Sequence, residues 1–361
     1  MRVSILYGRV KAMRIGIITP YINNFGGGEV FLNNLIKYSK TANDRNEFIL
    51  FSADPNVFDV PVIEIPNISN YKLFSENIFK AIRILKKEKL DCIILNDYYI
   101  GQFSILFKFF FKRVITLIHG EINYNNRILS LPLKQIVLYL RIFLVKIGSN
   151  RIFTVNKTNL KYFQKKQIKY IGNFVEKIPD VTIDEHEYDF LYIGRLIDLK
   201  RPIYILECFS QYMKKYDQKS KIAIVGDGDL KDDVIKYVLN HDLENNVKVV
   251  GEVSHDDVFS WYQRGECLLL LSRTEGFPTV ILEALASGLP CIATNVGSNN
   301  EIIRNGINGY IVDVANTTEE VVEYMNSIKH LNSEDCKKSV EKYLISSFYE
   351  NFTSDLERVC R

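Results

Sequence analysis

Two glutamates, Glu275 and Glu283, stand eight positions apart around a turn and the start of a helix. An apolar run, Cys267–Leu271, leads into the polar turn Ser272–Gly276. Pro278 then stands where a helix accepts its first residue, and VILEALASG keeps an apolar face until Gly288 stops it. The next apolar run, Leu289–Ala293, completes a strand–turn–helix–strand unit. Its turn lies at the carboxyl end of a strand, where open α/β sheets bind ligands. The first N–H groups of the helix, with those of Phe277, Thr279 and Val280, form an anion site that the helix dipole strengthens. Donors in the middle and a carboxylate at each side suit phosphates flanked by two polyols, which describes a nucleotide-sugar. An acidic residue near a helix start also has a purely structural explanation in the dipole.

The stretch Glu275-Gly276-Phe277-Pro278-Thr279-Val280-Ile281-Leu282-Glu283 resembles the E-x7-E motif of the family-4 retaining glycosyltransferases, whose fold is GT-B. The following ALASGLPCIATNVGSNNEII and NGINGYIV run in the same way. Upstream, Gly194-Arg195, four residues and Lys200 match that family's G-R-x4-K pattern. The resemblance implies two Rossmann-like parallel-sheet domains facing across a cleft, with a C-terminal helix that crosses back to the N-terminal domain. It implies that Glu283 binds the donor ribose, and that Glu275 with the Gly276–Phe277 backbone holds the donor sugar. Arg195 and Lys200 then meet the diphosphate, offsetting charge on the leaving group. It also implies that Gly226 lies beside the base.

The elements that must position these residues are legible along the chain. Met13–Pro20 reads as a first strand, which makes residues 1–12 an upstream extension. Gly26-Gly27-Gly28-Glu29 follows and opens a helix. It lacks the GxGxxG spacing of a dinucleotide site; the resemblance makes Gly27 and Gly28 contacts of the donor diphosphate. Val114–Ile118 is a strand ending in His119, which alone would be structural and by resemblance faces the donor sugar and scissile bond. Further strands fall at 48–52, 62–65, 92–96, 152–155, 190–193, 221–225 and 247–251, with helices at 74–87 and 254–262. The division expected is an acceptor-binding domain over 1–172, a linker over 173–187, a nucleotide-sugar domain over 188–345 and a crossover helix over 346–361. Asp227 and Asp229 could be taken as a metal-binding D-x-D, but their position favours the base loop, and no required metal is expected.

Length fits two domains of ordinary size, and 47% hydrophobic with 25% charged residues are globular values. The six cysteines have no metal-ligand spacing, which points to a reducing cytoplasm without disulfides. The net charge of +3 hides an asymmetry: residues 101–170 hold thirteen Lys or Arg and one acid, Glu121. Such a block favours an anionic membrane surface or phosphorylated acceptor over nucleic acid. Phe103–Arg113 and Ile128–Lys146 mix large apolar residues with spaced cations. They read either as a basic amphipathic surface on a bilayer or as core helices with snorkelling lysines, and the scarcity of acids favours the first. No apolar run reaches transmembrane length, and no secretory leader precedes Met13.

Together these readings predict a retaining transferase that moves a sugar from a UDP- or GDP-linked donor to a glycan acceptor, with polyprenyl-diphosphate-linked surface polysaccharide as its setting. It would be cytoplasmic and peripheral at the inner face of the membrane. A sugar-nucleotide epimerase of the same fold and a non-catalytic nucleotide-sugar-binding protein are the alternatives. The presence of Arg195, Lys200, Glu275 and Glu283 together argues against both.

Overall fold

The computed structural model describes residues 12–19, 27–42, 45–66, 74–122, 131–178, 186–315 and 317–360. Most of the upstream extension, Gly26 of the glycine loop, 128–130 of the second basic stretch and 179–185 of the expected linker lie outside these residues. The chain divides into two compact units. The first runs to Gly172 and takes in Tyr349 onward; the second is Asn173–Phe348.

In the first unit seven strands form one parallel sheet: β1 (Arg14–Ile18), β2 (Glu47–Ser52), β3 (Val62–Glu64), β4 (Cys92–Asn96), β5 (Val114–Ile118), β6 (Arg151–Thr154) and β7 (Ile168–Tyr170). Their order is β3-β2-β1-β4-β5-β6-β7. The inner strands β4 and β5 are buried at every residue, as strands covered on both faces must be, and both are almost wholly apolar. The short edge strand β7 has no sequence signal of its own. Its Ile-Lys-Tyr carries a charge in mid-run, and only pairing with β6 makes it a strand.

The second unit repeats the plan with six strands: β8 (Phe190–Ile193), β9 (Ile222–Val225), β10 (Val247–Gly251), β11 (Leu268–Leu270), β12 (Cys291–Thr294) and β13 (Gly309–Val312). They are ordered β10-β9-β8-β11-β12-β13. The Pro202–Lys215 helix begins with proline in its first turn and buries Ile205, Leu206, Phe209 and Tyr212 against this sheet. Phe190 of β8 meets Tyr212 edge-on at 5.0 Å. Burying each such side chain contributes about 1.5–3 kcal/mol.

In both sheets the chain starts in the middle, winds to one edge, and returns to the other side of the first strand. The strand order therefore reverses between β1 and β4 in one unit and between β8 and β11 in the other, and the crevice at a reversal is where such sheets bind ligands. The last helix, Ile345–Cys360, begins one residue before the expected 346. Beyond Tyr349 it belongs to the first unit: Phe352 packs 5.4 Å from Phe153 of β6, and Asp355 pairs with Lys169 of β7.

Candidate functional site

The carboxyl ends of β8 and β11 meet at the reversal in the second unit, and most of the predicted site residues gather there. After β8 the chain runs through Gly194 and the exposed Arg195 into a short 3₁₀ turn, Asp198–Lys200. Tyr192 Oη donates to the Arg195 carbonyl at 2.6 Å, holding the start of this loop. Burial, then the nearby Glu275 charge, raise the Tyr192 pKa, so the phenol stays a donor. The Arg273 N–H donates to the Leu199 carbonyl at 2.8 Å and ties this loop to the one after β11.

That tie brings Lys200 Nζ to 2.5 Å from Glu275 Oε1. The two side chains retain 20% and 8% of their exposure, so the pair sits in the floor of the crevice rather than on the surface. Behind Glu275, Gly297 is at φ +57°, and a Cβ there would lie 2.4 Å from the Glu275 carbonyl and 2.5 Å from that of Gly276. The Ser298 N–H donates to the Gly276 carbonyl at 3.0 Å. The backbone at Glu275–Gly276 is thus clamped from the β12 side.

Phe277 is buried and meets Tyr343 edge-on at 5.6 Å. Pro278 stands one position earlier than expected: it is extended (φ −74°, ψ 115°) and precedes the helix, which runs Thr279–Ala286. Proline has no side chain able to cap, so the N-cap residue makes no side-chain hydrogen bond to this helix. The first-turn N–H groups around Thr279 and Val280 are donors of the kind that can take an anion. Glu283 lies on the second turn, where Tyr262 Oη donates to its Oε2 at 2.7 Å. Tyr262 is buried, and burial together with the Glu283 charge raises its pKa, which keeps this donor protonated.

Gly226 closes the crevice on the β9 side. It is at φ +136°, and a Cβ would stand 1.9 Å from the Gly194 carbonyl, so two glycine-bearing loops touch backbone to backbone. Gly226→Ala is expected to destabilise the protein by about 2 kcal/mol, from backbone strain plus forced separation. A urea midpoint unchanged from the parent would refute that close approach. Of the possible D-x-D pair, Asp227 is held by Lys231 and by the Gly228 N–H. The hydrogen bond from Lys231, then that from Gly228, lower its pKa.

His119 and the glycines Gly27 and Gly28 belong to the first unit and gather at its own reversal. A Cβ at Gly28 would lie 3.3 Å from the His119 ring, while the same direction at Gly27 is open. His119 follows β5, packs edge-on to Phe31 at 5.0 Å, and places Nε2 2.8 Å from Asn96 Oδ1. Asn96 ends β4 and turns its amide nitrogen to Thr19 Oγ1 at 3.4 Å. In that orientation Asn96 accepts, so Nε2 carries the proton and Nδ1 is left as an acceptor. Burial pushes the His119 pKa down to about 4, which makes the ring neutral at pH 7. It can accept a hydrogen bond at Nδ1 but carries no positive charge. Asn96, Thr19, Tyr192 and Tyr262 escaped the sequence reading, because their partnerships join separate elements. The adjacent Asp97 adopts φ 92°, a conformation few non-glycine residues hold, and uses its carboxylate to cap the next short helix.

This geometry has relatives. Residues 173–343 match the family model described as Glycosyl transferases group 1. N-acetyl-alpha-D-glucosaminyl L-malate synthase of Bacillus anthracis is 29% identical over 212 residues, which is 56% of this chain and 54% of that one. In sequence, the second unit of this chain is thus similar to glycosyltransferases. The match to the Bacillus synthase thus spans little more than half of that protein. The O-antigen biosynthesis glycosyltransferase WbnH of Escherichia coli aligns over more of its length, 27% identical across 83% of this chain and 85% of its own. Among solved structures, HepE of Anabaena in complex with UDP and glucose superposes with a TM-score of 0.76. The identity is 16%, covering 96% of this chain and all of that one. The two doubly wound units therefore form a GT-B fold, as the motifs implied.

Proposed function

We propose that this protein is a glycosyltransferase that uses a UDP- or GDP-linked sugar and transfers it with retention of configuration to a hydroxyl of a growing bacterial surface glycan. The observation that carries the reading is the Lys200–Glu275 pair at the β8/β11 reversal, beside a helix start whose N-cap is a proline. A diphosphate accepted there meets Lys200, Arg195 and the N–H groups from Gly276 to Val280. The Tyr262-oriented carboxylate of Glu283 takes the ribose hydroxyls, and the Gly226 loop lies along the base. Glu275 and the Gly276–Phe277 backbone hold the sugar, and neutral His119 accepts from its primary hydroxyl. Gly27 and Gly28 leave room for backbone contact with the diphosphate.

The bond from the anomeric carbon to the diphosphate then breaks as the acceptor oxygen bonds to the same face. The acceptor proton passes to a donor phosphate oxygen, so Glu275 needs no covalent role. The names of the O-antigen biosynthesis glycosyltransferase and the N-acetyl-alpha-D-glucosaminyl L-malate synthase, and the UDP and glucose bound to HepE, support this assignment. The acceptor is carried on polyprenyl diphosphate, and the enzyme works at the inner face of the membrane. The anionic groups on both substrates are met by protein cations, and chelation of divalent metal is expected to leave turnover unchanged.

A thermal-shift panel of nucleotides and nucleotide-sugars tests the reading. One base is expected to stabilise the protein increasingly with concentration, and Glu283→Ala to abolish the shift. Absence of stabilisation by every nucleotide, or net epimerisation of a nucleotide-sugar without acceptor, would overturn it.

A further inference from the structure

The Leu131–Gly148 helix lies on the first unit with Ile142 and Val145 buried beneath it. Its other side is unlike the outer face of an ordinary surface helix. Leu133, Ile136, Leu140, Phe143 and Ile147 recur at spacings of three and four residues, one continuous stripe, and all are exposed. Ile136 retains 64% of its exposure and Phe143 55%. Beside the end of this helix Phe109 is 81% exposed, while its neighbours Phe107 and Phe111 enter the core. The stretch Phe103–Arg113 is thus half core and half surface. The Lys108 ammonium donates to the Ile147 carbonyl at 3.0 Å, which fixes the two segments side by side.

The charges around the stripe identify what covers it. Lys134, Arg141 and Lys146 lie on the helix, Lys108 and Lys112 next to Phe109, and no acid occurs from 131 to 148. A second copy of this chain would bring the same cations face to face. An anionic lipid surface meets them with opposite charge and accepts the apolar side chains below its headgroups. Among the described residues no helix is long and apolar enough to cross a membrane, and this one keeps its inner face packed on the protein. It is placed to lie in the interface.

We propose that the outward face of the Leu131–Gly148 helix, with Phe109 beside it, docks this enzyme on an anionic bilayer. The inference deepens the membrane-side reading given above and rests on it for its purpose. The helix would place the acceptor-binding unit against the surface that holds a lipid-linked glycan.

Vesicle flotation tests it without any need for turnover. The parent protein is expected to float with phosphatidylcholine–phosphatidylglycerol vesicles and to bind pure phosphatidylcholine at least about tenfold more weakly, with binding falling as salt rises. The double variant Ile136→Glu with Phe143→Glu is expected to lose at least about tenfold in binding to the mixed vesicles. Both positions are exposed, so its melting temperature and its response to the stabilising nucleotide should match the parent's. Failure of the parent to float, or equal flotation of the variant, overturns the proposal. So does a parent dimer in light scattering that the variant dissolves, because a second copy would then cover the face. Flotation without sugar transfer would leave this docking surface standing and count against the transferase reading alone.

Discussion

Lys200→Ala is expected to lower turnover by two to three orders of magnitude while leaving the protein folded. The position of Lys200 explains both effects. It follows β8 at the reversal of the second sheet, and its ammonium is 2.5 Å from a carboxylate that keeps only 8% of its exposure. A cation so placed is largely desolvated already, and its attraction to charge growing on a departing diphosphate is correspondingly strong. Removing one preorganised group of this kind typically costs about 10²–10³ in kcat, or roughly 2.7–4 kcal/mol of transition-state stabilisation. The structural cost is smaller. The pair lies between a surface ion pair, worth about 0–1 kcal/mol, and a buried one, whose disruption costs about 3–5 kcal/mol. A loss of about 1–2 kcal/mol would lower the melting temperature by only a few degrees. Single-turnover rates alongside thermal melts separate the two effects. Turnover unchanged in Lys200→Ala would remove the ion pair from the mechanism. A lost rate accompanied by a collapsed melt would mark Lys200 as structural.

Glu275→Gln sharpens the contrast. It keeps the shape of the side chain but releases Lys200 from its partner. If Glu275 acted as a covalent nucleophile, this variant would be as inactive as a deletion of the site. If it holds hydroxyls of the sugar, a residual rate remains and the loss shows partly in KM.

Much of this site can be read from the chain because it is local. Glu275, Phe277, Thr279 and Glu283 fall within one turn and one short helix, so spacing alone places them at the carboxyl end of an apolar strand. The strands of both sheets show for the same reason: β4, β8 and β11 are short apolar runs, and burial on both faces removes any alternation. What stays hidden depends on topology. Nothing in the sequence says that Lys200 and Glu275, 75 positions apart, will pair; that follows from β11 lying against β8. Tyr262 meets Glu283 only because two helices pack, and Asn96 meets His119 only because β4 and β5 are neighbours. The mixed apolar and basic pattern of 128–146 suggested two uses, and periodicity could not choose the inward face. The burial of Ile142 and Val145 shows which side the protein already occupies.

The second large effect is a pH dependence of stability that runs through His119. Its pKa falls from the usual 6.5 to about 4 because burial disfavours the charged ring. Between those values the unfolded chain binds a proton that the folded protein refuses, so stability rises with pH across that window. The contribution is complete above about pH 6.5 and is lost as pH falls toward 4. A shift of this size is worth about 3 kcal/mol, enough to lower the melting temperature by several degrees. His119→Asn removes the titration, and the difference between its acid limb and the parent's isolates this one group from the carboxylates. Asn96→Asp acts in the opposite sense. A carboxylate in place of the Asn96 oxygen, 2.8 Å from Nε2, would favour imidazolium and raise the His119 pKa. The loss of stability below pH 6.5 should then shrink or vanish. The same substitution makes the ring charged near neutrality without removing its hydrogen bond, so transfer should weaken if an uncharged acceptor at Nδ1 is what the sugar requires. NMR titration of the imidazole follows the parent and Asn96→Asp without any substrate. A parent His119 titrating near 6.5, or an Asn96→Asp protein whose His119 pKa does not rise, would break the link between Asn96 and the state of the ring.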